Sequence, residues 1–176
     1  MISTLVNQRL AFVRVQLRTA EPTPDPDIEQ RLRQHAALDA AILQLHKAIV
    51  FFLAELSGES KPEKLLALPE NIGSVIAYFC VAHPHSKELQ EWQKLSSQTD
   101  SWLSLLISLE RDPQHLGSFL NGNALSQPVQ TSATPSLIAS TSLDTRNNTD
   151  GLSVVKGLLS EAQSLIDAQR IHCAEE

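Results

Sequence analysis

Between Pro26 and Gly58 the chain runs without a single glycine or proline. The segment Ile28–Leu56, IEQRLRQHAALDAAILQLHKAIVFFLAEL, is therefore expected to form one helix, about 43 Å long at ~1.5 Å per residue. An element of that length crosses the full breadth of a small domain, so the remaining segments must be arranged along it. The stretch points to a soluble all-helical domain and names no activity.

Its angular pattern is informative. With His35 at zero and about 100° per residue, Leu38, Ile42, Leu45, Ile49, Phe52 and Leu56 fall between about 260° and 340°. That is the stripe of a core-facing helix. A second set, Ile28, Leu32, Leu43, Val50 and Leu53, falls between about 0° and 80°. The two sets cover roughly half the circumference, which predicts a central helix with two contact sides. The polar remainder carries Arg33, Gln44, Lys47 and Glu55, several alanines and one misplaced aromatic, Phe51. By angle His35, Asp39 and His46 belong to the apolar arc, at about 0°, 40° and 20°. They are its chemical exception.

Size and charge narrow the classes. A chain of 176 residues makes one domain, or one domain and a tail. The net charge of −6 favours solubility and speaks against a general nucleic-acid binder. Cys80 and Cys173 lie far apart in sequence, a usage that suits reduced cytoplasmic thiols rather than a disulfide framework. The opening MISTLVNQRLAFVR lacks a basic region followed by an unbroken apolar core, so no signal peptide is expected. The purest apolar run, Ala48 to Ala54, is too short to span a bilayer.

Ser3 to Ala20 reads as a first helix on the stripe Val6, Leu10, Val13 and Leu17, with Ser3 or Thr4 as its cap. The prolines between Glu21 and Asp27 stop it, and Asp25 or Asp27 caps the central helix. A loop that short predicts an antiparallel hairpin, with Asp27–Arg31 and Glu29–Arg33 as surface pairs. Ser57-Gly58 ends the central helix. Ser60 to Leu68 suggests a helical turn. Ile72, Val75, Ile76 and Phe79 suggest a short buried helix, with a strand as the alternative. Ser86 to Arg111 reads as one long helix with Leu89, Trp92, Leu95, Thr99, Trp102, Leu103, Leu106 and Leu109 facing inward, and His115 to Leu120 as a further turn. In 121–150, fourteen of thirty residues are Ser, Thr or Asn, the composition of a flexible linker in which Ser136–Leu143 could dock transiently. From Gly151 to Cys173 the helical period returns through Leu152, Val155, Leu159, Ala162, Leu165 and Ile166.

The polar candidates have bland readings beside the chemical ones. His35 and Asp39 have i, i+4 spacing, which can seat two metal ligands. His46 lies roughly 16 Å further along the axis and cannot share that ion. A buried polar network that fixes helix pairing accounts for all three. The first helix supplies an answering group, since Asn7 and Arg14 sit on the shoulder of its stripe. An Arg14–Asp39 ion pair is expected, completed by Asn7 and a histidine. Cys80, His83 and His85 form C-x-x-H-x-H, which lacks the second ligand pair of a structural zinc site. Arg9 points about 140° away from Arg14, so the arginines of the first helix make no nucleic-acid stripe. Phosphate loops, nucleophile elbows and di-metal helix motifs do not occur.

The run Asn7-Gln8-Arg9-Leu10-Ala11-Phe12-Val13-Arg14 resembles the opening of a family of small, uncharacterised proteobacterial helical proteins, a domain of unknown function. The likeness continues in Ala41–Leu56, with His46 and Glu55, and in Ser101-Trp102-Leu103 with Leu106. It covers roughly the first two-thirds of the chain and departs in the Ser/Thr-rich linker. It implies an all-helical fold, transfers no active site, and marks Asn7, Arg14 and His46 as a recurrent set.

The expected fold is all-α, an irregular helical bundle of four main helices plus one short helix, opened by the antiparallel hairpin. Residues 1–120 form its body, 121–150 the flexible linker, and 151–173 a C-terminal helix that packs back on the body. The first functional reading is a non-enzymatic interaction or scaffold module of the bacterial cytoplasm, binding an unknown protein partner or itself. The alternative is a small ligand-binding or hydrolytic enzyme using Asn7, Arg14, His35, Asp39 and His46 between the first two helices. No metal, cofactor, nucleic acid or membrane is expected.

Overall fold

The computed structural model describes residues 2–59, 68–69, 71–111 and 145–175. Among them are six helices and no strand: α1 (Ile2–Thr19), α2 (Ile28–Leu56), α3 (Ile72–Ala82), α4 (Lys87–Ser97), α5 (Trp102–Arg111) and α6 (Thr145–Glu175). The fold is all-α, and Ile72–Phe79 takes the helical alternative. Residues 60–67, 115–120 and 121–144, where a turn, a second turn and most of the linker were expected, lie outside the described residues.

The hairpin forms as the turn chemistry requires. Asp27 accepts from the Gln30 backbone N–H at 2.7 Å while the Gln30 side chain reaches back to the Asp27 N–H, a closed capping box. Asp25 takes the left-handed backbone at φ 51°, one of the few non-glycine types that does so readily. Glu29 pairs with Arg33 at 2.6 Å. Arg31 instead donates Nε–H to the Pro26 carbonyl at 3.2 Å. At the far end Gly58 (φ 69°) and Glu59 donate back to the Glu55 and Ala54 carbonyls, the double bond of a Schellman stop. Arg9 bonds Gln44, and Gln34 bonds the Glu21 carbonyl, so α1 and α2 run antiparallel.

On α2 the first apolar set is buried as expected, apart from the half-buried Leu56. The second set is not. Ile28, Leu32 and Leu43 are 71%, 57% and 49% exposed, and only Leu53 is sealed. The second contact side is made by alanines assigned above to the polar remainder: Ala37, Ala41, Ala48 and Ala54 are buried. The first three lie at about 200–240° on the same wheel, between Gln44 and Gln34, which both bond α1. Small side chains let the two backbones approach. By length and composition α2 could cross a bilayer, but 56% of its apolar window is buried in the bundle, as in a core helix.

The long helix expected over Ser86–Arg111 is two. Ser86 caps α4 through the Leu89 N–H, and Gln98 leaves helical geometry at ψ 118°. Ser101 then restarts the chain, accepting from the Ser104 N–H at 3.0 Å and donating its hydroxyl proton to the Leu95 carbonyl. Clustered Ser, Thr and Asp offer the backbone such alternatives to helix. The break turns Thr99 out to solvent. It also lets Trp102 meet the buried Trp92 edge-on at 5.8 Å, with Phe52 at 6.0 Å on Trp92.

α6 begins at Thr145, so 145–150 belong to the helix and not to the expected linker. It docks in the same chain, antiparallel to α1, through contacts repeating every seven residues on both. Lys156 reaches Glu21 at 3.4 Å, Gln163 accepts from Arg14 at 2.7 Å, and Arg170 donates to Asn7 at 2.9 Å. Arg170 also grips Glu55 through two bonds of 3.0 and 2.8 Å and stacks 5.6 Å from the Phe52 ring. The preceding residue, Gln169, accepts the Trp92 indole N–H at 2.9 Å and donates to Glu91, satisfying a fully buried indole.

Two stability measurements check this packing. Ile49→Ala, at a fully buried position, is expected to cost about 2–5 kcal/mol in a urea titration. Leu43→Ala, half exposed, should stay within about 0.5 kcal/mol of the parent. Arg170→Leu should lose roughly 1–3 kcal/mol. A double-mutant cycle with Glu55→Gln should show coupling above about 0.5 kcal/mol, and simple additivity would exclude the grip.

Candidate functional site

The single polar seam expected between the first two helices is not formed. Arg14 does not pair with Asp39; it donates to Gln163 on α6, and Asp39 lies exposed on α2. Asn7 likewise turns to α6 and accepts from Arg170. The shoulder of α1 that carries both residues faces the C-terminal helix. The opposite shoulder meets α2 through Arg9, which sequence reasoning set aside. Arg9 donates to Gln44 at 2.9 Å and lies 6.0 Å from the Phe12 ring and 5.8 Å from Phe51. Phe51 is thus no misplaced core residue. It is one wall of a cation–π sandwich.

His35, Asp39 and His46 stay together along one edge of α2, but their surroundings differ. His46 is buried, with Nδ1 3.2 Å from Glu110 Oε1 on α5. The other Glu110 oxygen accepts the backbone N–H of Ile72 at 3.2 Å, in the first turn of α3. A carboxylate suits that helix N-terminus, where backbone N–H groups lack intrahelical partners. Glu110 thus ties α2, α3 and α5 at one point. It went unread because it sits beside the inner stripe, next to Leu109, in the place of an ordinary surface acid.

Beside this tie is a half-open recess of about 240 Å³, lined by Asp39, Ile42, Leu43, His46, Leu106, Leu109 and Glu110. Its walls are mostly aliphatic, with Asp39, His46 and Glu110 as the polar groups among them, a common composition for a binding recess. Burial raises the Asp39 carboxyl above its ordinary value, and nearby His35 opposes the rise. Burial first, then the Lys47 cation, holds His46 below the ordinary imidazole value.

The remaining candidates resolve simply. Cys80 donates its thiol proton to the Leu89 carbonyl at 3.3 Å, and burial raises its pKa. His83 and His85 are exposed in the α3–α4 turn. Among the described residues no three His, Cys, Asp or Glu side chains gather as a metal site.

The architecture is that of an all-helical bundle carrying an apolar recess on its central helix α2. The chain belongs to a family of unknown function, DUF6586, matched over residues 3–175. The match therefore runs through the C-terminal helix, further than the two-thirds over which the likeness was read. Neither the curated proteins nor the solved structures contain a match.

The His46 direction carries a pH dependence. The unfolded chain takes up this proton near 6.5, and the folded chain only at lower pH. Between those two values the unfolded state binds more protons, so stability falls as pH drops through the window and is unaffected above it. Asp39 has the opposite sign, its contribution being complete below 3.8 and lost as pH rises through its raised value. An imidazole titration by NMR should place His46 below 6.5, and His46→Gln should flatten that part of the stability profile. A value above 6.5 would show that Glu110 dominates the ring.

Proposed function

We propose that the protein is a non-enzymatic interaction module, and that its docking face is the edge of α2 running from Ile28 to the recess at His46. The observation that carries this reading is the exposure of Ile28, Leu32 and Leu43, 71%, 57% and 49%, along one edge of one helix. Singly exposed apolar residues are ordinary, whereas an aligned set leading into an apolar recess is the surface an amphipathic helix takes up. The polar groups weighed for chemistry hold helices together: Arg14 and Asn7 engage α6, and His46 engages Glu110. The thiols Cys80 and Cys173 suit a reducing compartment, and we place the protein in the cytoplasm on that ground.

A photo-crosslinking amino acid at Leu32 tests the reading in cells of the source organism. It should give discrete adducts absent when the probe replaces the exposed Lys87 on α4. Leu43→Asp, at a half-exposed position, should cut their yield several-fold without lowering the melting temperature. Adducts no stronger than at Lys87, or indifferent to Leu43→Asp, would overturn it.

A further inference from the structure

The edge of α2 has an internal order that its exposure alone does not explain. Ile28, Leu32, His35, Asp39, Ile42 and His46 are spaced alternately four and three apart, the seam of a coiled coil. The six positions are also symmetric about residue 37. Reversing the helix about that point lays Ile28 on His46, Leu32 on Ile42 and His35 on Asp39.

We propose that a second copy of this chain is the partner of this edge, packed antiparallel about a two-fold axis that crosses the edge at the level of residue 37, between His35 and Asp39. The proposal rests on the reading of α2 as a docking face and names its occupant. The two halves of the seam are complementary in shape. The first half carries the projecting Ile28 and Leu32, 71% and 57% exposed. The second half carries the recess of about 240 Å³ lined by Ile42, Leu43, His46 and the leucines of α5. Each copy offers both halves, so one two-fold contact fills both recesses and closes without propagating.

The halves are also complementary in hydrogen-bonding chemistry. At the crossing, His35 of each copy faces the partner's Asp39, so two imidazole–carboxylate contacts form side by side. A parallel arrangement would set Asp39 on the partner's Asp39 and Ile28 on the partner's Ile28. Like charges would then face one another, and the recesses would stay unfilled. The antiparallel register alone sets the projecting Ile28 and Leu32 against the partner's recess, whose lining includes the buried Ile42 and His46.

The test uses the purified full-length chain. Sedimentation equilibrium should show a concentration-dependent mass reaching twice the 19.4 kDa chain. Leu32→Glu and Ile28→Glu alter exposed side chains and should keep the parent's circular dichroism and melting temperature. Each should weaken dimerisation roughly tenfold or more. Register is read by crosslinking in chains with Cys80→Ser and Cys173→Ser. His35→Cys mixed with Asp39→Cys should form a disulfide dimer that neither variant forms alone. A chain monomeric at all concentrations would overturn the proposal and leave the face to another protein. Cellular adducts at Leu32 would then keep the docking reading alive. A dimer indifferent to both glutamate variants, or like-with-like disulfides, would equally overturn it.

Discussion

The antiparallel wedging of α1 between two longer helices is the constraint on which the rest depends. Its stripe of Val6, Leu10, Val13 and Leu17 is sealed, so each shoulder must meet a neighbour. One shoulder takes α2, whose Ala37, Ala41 and Ala48 present little bulk on the side that bonds α1. The other takes α6 through contacts that recur every seventh residue. A seven-residue repeat keeps two nearly parallel helix axes in step, so each contact confirms the register of the next. Individually these exposed contacts are weak. The alignment they report is fixed by the buried Leu152, Val155, Leu159, Ala162 and Ile166 of α6. Only at Arg170 does the polar ladder reach partly buried ground, where it meets Glu55 and Phe52 together.

Much of this was legible in the chain. The apolar period of α1, the first stripe of α2, the Asp27 cap, the Gly58 stop and the return of helical period after Gly151 all follow from local rules. Local rules act within a turn or two of helix. They cannot say which neighbour a shoulder faces. Asn7 and Arg14 were placed correctly on α1 and given the wrong partner, because α6, more than a hundred residues away in sequence, competes with α2 for the same side. The alanines of α2 misled for a related reason. Alanine favours helix on any face, and its burial here depends on how closely α1 approaches. The break at Gln98–Ser101 was a local signal underread. Its serines, threonine and aspartate were outweighed by an apolar period that happens to continue across the gap.

The polar edge of α2 shows how far a sequence pattern can outrun its first interpretation. His35, Asp39 and His46 form one set by angle and three environments by structure. His46 is buried against Glu110, Asp39 sits at the rim of the recess, and His35 lies toward the open half. The difference comes from α5, which covers the later part of the edge with Leu106, Leu109 and Glu110. Glu110 in turn is fixed by the first turn of α3. How deeply an imidazole of α2 is buried is therefore set by where two other helices end. Neither is visible from α2 itself.

That division inverts the usual sorting of side chains. Along one edge of one helix, a histidine is 8% exposed while an isoleucine is 71% exposed. Burying an isoleucine is worth roughly 1.5–3 kcal/mol, whereas burying an imidazole requires a compensating partner, here the carboxylate of Glu110. Selection for monomer stability alone would favour the reverse assignment, with apolar side chains under α5 and polar ones in water. An edge that keeps Ile28 and Leu32 in solvent, places a recess at its other end and sets an imidazole and a carboxylate either side of its midpoint is the surface the proposed docking would use. The same long helix that organises the core therefore carries, on an edge that α5 covers only in its later part, the surface proposed for docking.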